Sequence, residues 1–440
     1  VTRPPPTPAG VPLVGNTFGF AADPFGFVDS LLDSHGIDDV VGLNVLGMDE
    51  LYVLAHPDYF EQAFVTEPDS VVKGDEFGAA FGDAVLSVEG AEWRRQRAEL
   101  DPFFRWDRVT EYAPVMRRQV ERRIETWGEQ SSFSLEAEMK HITLDIIFAT
   151  ILGRELELDG DERVRNAAAG LNGRFAPSSW ALPRWIPTPS RRRFDKAERV
   201  LREEVRELVE TANTESLAAR LADALGSEYP ETVESMENQL VGMIFAGHET
   251  TALALTFTFY SLATNPEVYE EAVEEVERVV GDGPVTNDEL DQLSVLERVL
   301  KEALRLYPPV HTIPRETAKP FPVGECEIPA GTDIHLSIIQ VHRDGRWYDQ
   351  PLEFDPDRWR ETETRTGTET DRPRYAYIPF GAGPRSCLGR AFALTEAKIV
   401  LATVLRDYDI DWAGDAELSI TPEMTTQPVG ETPVVARRRD

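Results

Sequence analysis

The feature that most constrains this chain is a cysteine near its C-terminal end. Phe380-Gly-Ala-Gly-Pro-Arg-Ser-Cys-Leu-Gly389 sets the Cys387 thiol among three glycines and runs into residues 390–406, whose apolar spacing predicts a helix. Glycines let backbone N–H groups approach a sulfur, and a helix N-terminus just beyond it favours the thiolate over the thiol. Arg385 is placed to pair with a carboxylate. A chain built round such a loop needs a rigid helical scaffold behind it. The other cysteine, Cys326, has no such setting and reads as structural, as an isolated cysteine more often is.

Two cysteines in 440 residues make no disulfide framework, and that usage suits a reducing compartment, so the cytoplasm is the expected location. The Pro-rich start lacks the apolar core of a signal peptide. No uncharged run of about 20 apolar residues stands out, so no transmembrane segment is expected. Acidic residues number 78 against 45 basic ones, a net charge of −33; six of the basic residues are Lys and the other 39 Arg. Such a field repels nucleic acid and anionic lipid, and repels itself unless counterions screen it. A halophilic protein that loses stability as salt is withdrawn is expected.

Length alone allows about three units of roughly 150 residues. No repeat or clean linker cuts the chain, however, and its apolar residues are spread evenly, so residues 1–440 are expected to form one domain. Residues 1–16 read as an irregular arm, with short strands at 41–46 and 51–54. From residue 59 to 307 the pattern is almost all helix; in residues 197–212, Val200, Leu201, Val205 and Leu208 fall at helical spacing. Residues 177–189 carry four Pro and two Trp, with Arg191, Arg192 and Arg193 after them, and read as a loop placed to act as a lid. Strands return at 321–328 and 333–339, around the turn Pro329-Ala-Gly-Thr. Residues 361–371 are polar, low in complexity and outside any core. The fold class is mainly α with a minor β region.

Residues 240–262 read as a long apolar helix interrupted by Ala246-Gly-His-Glu-Thr-Thr251. A hydroxyl backed by a carboxylate is a suitable proton relay, and Glu249 and Thr250 supply both. Mid-helix hydroxyls bonding back to preceding carbonyls explain the cluster equally well. A zinc-peptidase reading of His248-Glu249 fails because Ala252 stands where a second His is needed. Elsewhere, Glu302 and Arg305 lie three apart on one helix face, a commonplace ion-pair spacing. Trp93 and Arg97 lie one turn apart. Between residues 92 and 123 nine Arg outnumber six acidic residues; ion pairing along helix faces and docking of an acidic partner both account for the surplus.

Taken together, these segments resemble the cytochrome P-450 family. Phe380, Gly383, Arg385, Cys387 and Gly389 meet its heme-binding signature, and Ala246-Gly-His-Glu-Thr-Thr251 is similar to its distal-helix motif. Glu302 and Arg305, with Arg358 in Phe354-Asp-Pro-Asp-Arg-Trp359, resemble its Glu-Arg-Arg trio. Trp93, Arg97 and Arg315 match its propionate contacts. The motifs run from Trp93 to Cys387 in the family's order.

The resemblance implies a single triangular, mostly helical fold, with heme b between the Thr250 helix and the 380–389 loop. Cys387 would be the axial iron ligand, with Phe380 and Gly389 beside the sulfur and Arg97, Arg315 and Arg385 on the propionates. A thiolate ligand favours O–O cleavage. Ala246 and Gly247 would keep the oxygen side uncrowded, Gly247 also allowing a local opening of the helix. Glu249 and Thr250 would relay protons, and Glu302, Arg305 and Arg358 would be structural. The implied reaction inserts one atom of O2 into a small apolar organic substrate by hydroxylation or epoxidation. Electrons would come from a separate donor such as a ferredoxin with its reductase, since no flavin or iron–sulfur motif is present. A peroxide-driven peroxygenase or isomerase would not need the relay, and a heme sensor would need neither relay nor substrate cavity. Residues 71–88, 177–189, 310–314 and 425–427 are the expected substrate loops; fatty acids, terpenoids and carotenoids all suit them.

Overall fold

The computed structural model describes residues 3–12, 14–46, 50–174, 188–211, 230–360 and 372–439. Its principal helices are α1 (Gly90–Phe104), α2 (Trp106–Ile124), α3 (Leu135–Ile147), α4 (Glu162–Gly170), α5 (Pro189–Thr211), α6 (Pro230–Ala263), α7 (Pro266–Val279), α8 (Ser294–Leu306) and α9 (Arg390–Asp407). The expected lid, residues 177–189, lies outside the described residues except at its end, and so do residues 361–371.

The helices form because their apolar positions recur at helical spacing and find a partner. On α8, Val295, Leu296, Val299, Leu300, Ala303 and Leu304 are all buried. Its start is fixed from outside: the carboxylate of Glu275 on α7 accepts from the N–H groups of Val295 (2.9 Å) and Leu296 (3.1 Å), two donors without a partner inside the helix. Helix α6 differs. Its C-terminal half is apolar on most sides, and Leu240, Ile244, Leu253, Leu255, Phe257, Phe259 and Leu262 are fully enclosed. It runs through the body against α3, α5, α8 and α9. Residues Glu234–Ala263 are long and apolar enough to cross a membrane, and 72% of the qualifying window is buried within this fold, as for a core helix. The hydroxyls this helix carries inward bond back to carbonyls one turn earlier, as in Thr256 to Ala252 (2.8 Å) and Ser261 to Phe257 (2.7 Å).

A five-stranded sheet lies beside the helical body, in the order β1 (Val40–Leu43), β2 (Leu51–Leu54), β8 (Asp333–Ser337), β5 (Thr312–Thr317), β3 (Val71–Val72). Only β2 and β8 pair in parallel. The expected strand at 321–328 is instead a hairpin of β6 (Phe321–Val323) and β7 (Cys326–Ile328). Gly324 makes its turn at φ +55°, where a Cβ would fall 1.6 Å from an oxygen of Asp38. Cys326 is buried in β7, without a disulfide.

Other boundaries are corrected as well. The expected strand at 333–339 stops at Ser337, and the next residues begin a short helix, Ile338–His342. Arg191, Arg192 and Arg193 belong to α5, which opens at Pro189, a favoured first helical residue. The expected loops at 310–314 and 425–427 run largely into β5 and into β11 (Thr426–Val429), which pairs with β10 (Ser419–Pro422). Inside the expected all-helical span, β4 (Gln130–Ser134) joins a sheet with β12 (Pro433–Arg438) and β9 (Tyr408–Trp412). That pairing spans some 300 residues, a distance at which local pattern carries no signal.

Candidate active site

The Cys387 loop is a folded turn held by its own backbone. Cys387 N–H donates to Phe380 O (2.8 Å), and Ser386 N–H to Gly383 O (3.1 Å). Gly381 and Gly383 have φ of +71° and +67°, a region that favours glycine, and a Cβ on Gly383 would lie 2.1 Å from the carbonyl oxygen of Phe64. Gly389 differs: a Cβ there would meet no protein atom within 4 Å, which leaves a cradle beside the sulfur. The Gly389 N–H bonds to the Cys387 sulfur. Burial raises the thiol's pKa; the Gly389 bond, Arg97 and Arg390 oppose that rise without cancelling it. The sulfur is thus deeply desolvated although Cys387 has open surface, so its open face looks into an internal space. Phe380 is half-buried, with the Arg390 guanidinium 5.7 Å from its ring centre.

Ala246 is exposed on α6 while Ile244, His248 and Glu249 around it are buried. Glu396, nine residues beyond Cys387 on α9, reaches toward Thr251, which draws the start of α9 and this turn of α6 together. The helix is unbroken from 246 to 251, so the local opening expected at Gly247 is not seen. Gly247 does not face the open side either. A Cβ there would lie 2.9 Å from Ile147 Cδ1, so its missing side chain lets α3 approach α6. The physical reason is the helical rotation of about 100° per residue that separates it from Ala246.

Thr250 donates to Ala246 O (2.6 Å). Glu249 turns elsewhere and is held on three sides. It accepts from Asn172, from Thr425 Oγ1 (3.3 Å) and from Gln427 Nε2 (3.3 Å), with Lys140 Nζ 3.5 Å away. His248 is buried against Lys140 O (3.1 Å), and burial lowers its pKa to about 3, so it is neutral.

A cluster of cations borders the Cys387 loop. Arg97 donates to Ser386 O (2.8 Å) and pairs with Asp101 (2.6 Å). Arg385 donates to Val88 O (3.2 Å), pairs with Glu89 and lies 4.5 Å over the Trp93 ring. Arg315 lies 5.4 Å over the Phe64 ring; burial, then Arg385, lower its pKa to about 10. Lys73, which the sequence reading missed, donates to Leu86 O (2.5 Å), and burial with Arg385 and Arg315 lowers its pKa to about 7. Three cations thus repel one another in a buried corner where Glu89 is the opposing charge. Such a corner fits a cofactor that brings its own carboxylates.

The buried framework is better satisfied. Glu302 accepts from Arg305 Nε (2.9 Å) and Nη2 (2.8 Å), from Arg358 Nε (2.8 Å), from Trp359 Nε1 (2.9 Å) and from Asp355 N–H (3.1 Å). Arg305 reaches on to the carbonyls of His342, Pro351 and Glu353. The structure therefore joins the two distant segments that carry Glu302 and Arg358, and adds Trp359, which a sequence reading limited to charges passes over.

The cytochrome P450 family model matches residues 4–432. This chain belongs to the cytochrome P450 family. Pentalenene oxygenase of Streptomyces avermitilis is 30% identical, over 98% of this chain and 95% of that protein. Cyclooctat-9-en-7-ol 5-monooxygenase of Streptomyces melanosporofaciens is 28% identical over 90% and 87%, and human lanosterol 14-alpha demethylase 25% identical over 100% and 87%. Among solved structures, the cytochrome P450DA heme domain superposes with a TM-score of 0.87 at 25% identity, covering all of this chain and 98% of that one. This P450 is accordingly a heme-thiolate monooxygenase, an oxidoreductase that uses heme iron to incorporate oxygen from O2.

Proposed function

We propose that the whole chain acts as one heme b domain in which Cys387 would hold the heme iron through its sulfur. It would hydroxylate or epoxidise a ring-containing apolar hydrocarbon or alcohol, the chemistry shared by pentalenene, cyclooctat-9-en-7-ol and lanosterol in the names of its relatives. The observation that carries this reading is the sulfur of Cys387, desolvated yet open to an interior space, beside cations short of anions. Arg97, Arg315, Arg385 and Lys73 would hold the propionates. Gly389 would leave the macrocycle its room, and the Gly389 N–H would keep the sulfur electron-poor enough to persist as a thiolate. When bound, the heme supplies one-electron chemistry and the activation of O2. Ala246 would leave the opposite side open for O2 and substrate, and Glu249 with Thr250 would hold the protons the reaction consumes.

Electrons would arrive from a separate acidic donor such as a ferredoxin. Exposed Arg94 suits that docking better than Arg95, which already pairs with Glu92 and with Glu99 (2.8 Å). A cytoplasmic, salt-rich setting fits the two free cysteines and the charge of −33. Two measurements test the reading. Cys387→Ser must abolish the strongly red-shifted carbon monoxide band of the reduced protein, and retention of that band would overturn the ligand assignment. A screen of ring-containing hydrocarbons and alcohols for the low-spin to high-spin shift must find binders, where fatty acids alone binding would overturn the substrate class.

A further inference from the structure

Two buried amides clasp the segment that precedes α1. Val85 N–H donates to Gln239 Oε1 (3.0 Å), Gln239 Nε2 donates to Gln96 Oε1 (2.6 Å), and Gln96 Nε2 donates to Asp83 O (2.8 Å). The ring closes on the backbone it started from. Its direction is forced, because an N–H at one end can only donate and a carbonyl at the other can only accept. Asn238, beside Gln239 on α6, adds a bond from its Nδ2 to Asp83 Oδ1 (2.7 Å). Gln96, Asn238 and Gln239 are 3%, 4% and 5% exposed, so water does not compete for these bonds. Gly82, at φ +56°, brings the chain so near that a Cβ would lie 2.5 Å from Asn238 Nδ2.

The clasp presses residues 82–88 onto a particular stretch of α6. Ala84 is buried, and a Cβ on Gly242 would lie 3.7 Å from its own Cβ; Phe81 packs on Phe245 at 4.7 Å between ring centres. Gly242 and Phe245 stand within about one turn of Ala246, the open position of the helix. At its far end the same segment gives Leu86 O to Lys73 and Val88 O to Arg385. It is therefore fastened at both ends, by amides at one and by the cation cluster at the other, with half-buried Val85 and Leu86 between.

We infer that Gln239, Gln96 and Asn238 are positioning residues for substrate shape: their amide clasp fixes the 82–88 segment against α6 beside Ala246 and so sets how large a molecule fits there. This rests on the reading above that residues 71–88 border the substrate space. None of the three touches the reacting atoms. They act through the backbone they hold. A methionine at position 239 keeps the size and removes both the acceptor for Val85 and the donor to Gln96, so Gln239→Met breaks the ring with least change of shape.

The test uses the heme-loaded protein and two nitrogen ligands of different size, imidazole and 4-phenylimidazole, read by the red shift of the heme absorbance band. In Gln239→Met and in Gln96→Leu, the Kd for 4-phenylimidazole is expected to change about tenfold while that for imidazole stays within about twofold. Hydrogen exchange at the Val85 amide is expected to speed up in both variants. Equal Kd changes for the two ligands, or none, would overturn the inference. So would a Val85 amide in the parent that exchanges as fast as an unprotected one, a result that needs no variant to fold. Leu86→Trp separates the two levels: no change for 4-phenylimidazole there means the segment does not border the site, whereas a response to Leu86→Trp without one to Gln239→Met removes the clasp alone.

Discussion

Arg305 donates to Glu302 from both Nε and Nη2, and neither side chain has exposed surface. Inside the protein that pair is stable because its remaining oxygens and N–H groups are also used, by Arg358, Trp359 and three backbone carbonyls. Removing one partner leaves the other charge buried and unpaired, a loss of about 3–5 kcal/mol. Glu302→Gln is therefore expected to lower Tm sharply and to yield protein that retains little heme, measured as heme absorbance per polypeptide. Arg305→Lys is expected not to rescue, since a single ammonium cannot span Glu302 and the carbonyls of His342 and Pro351 together.

Glu249 and Thr250 are neighbours with separate partners, so their replacements should differ in kind. Thr250→Val removes a hydroxyl that bonds to Ala246 O and should keep the fold, while O2 uptake continues with product diverted to hydrogen peroxide. Glu249→Gln also keeps the shape but leaves Lys140 without its buried counter-charge, and Lys140 still has Glu136 at 2.5 Å. Turnover is expected to fall about 10²-fold in Glu249→Gln, as for loss of a proton-transfer group, with the substrate spin shift unchanged. A larger solvent deuterium effect on turnover would accompany it.

Lys73 gives heme loading a pH dependence. Its folded pKa, lowered to about 7, means that above neutral pH the heme-free protein carries it uncharged. A propionate beside it favours the ammonium, so loading takes up a proton and affinity falls as pH rises above about 7. Competition with apomyoglobin for heme between pH 6 and pH 9 should show this fall in the parent and not in Lys73→Gln. At pH 6 the variant should lose heme faster than the parent.

The helical body was legible because it is local. Residues 240–262 are a long, largely apolar run and residues 390–406 a run of strong helix formers, and α6 and α9 extend them by few residues other than at the α6 start. The same locality made the loop of Cys387 readable, since its glycines and sulfur are adjacent. What was hidden depends on distance or rotation. Residues 130–134 are a strand because residues 433–438 return to them, and Gly247 serves α3 because of where the helix turns it. Lys73 was passed over for a related reason: it has no motif, and its role arises when the fold brings it beside Arg315 and Arg385.

A net charge of −33 makes stability salt-dependent. Ion pairs such as Arg163 with Glu203 and Arg437 with Asp411 are exposed, contribute little and are weakened by salt, whereas repulsion among the excess carboxylates is relieved by it. The second effect involves more charge and should win. Tm is expected to rise by several degrees between about 0.05 M and about 2 M KCl, as the screening length shrinks to a few Å. A flat or falling Tm would remove the halophilic reading.

Glu396 sets a different dependence. It is fully buried on α9, has Thr251 in reach, and neither carboxylate oxygen makes a well-formed hydrogen bond. Burial raises its pKa well above the ordinary 4.5, so the folded chain holds a proton there that the unfolded chain releases. Between the two pKa values the folded state binds more protons, and stability must fall as pH rises, by up to about 1.4 kcal/mol per pH unit. The contribution is fully favourable below pH 4.5 and is lost progressively above it. Glu396→Gln has the same shape and no proton to keep, so this slope should vanish. The variant is expected to match the parent near pH 4.5 and to exceed it in Tm by a margin that widens toward pH 8. A margin independent of pH would mean that Glu396 is charged in the folded protein, and a cation or ordered water would then have to be found beside Thr251 to hold it.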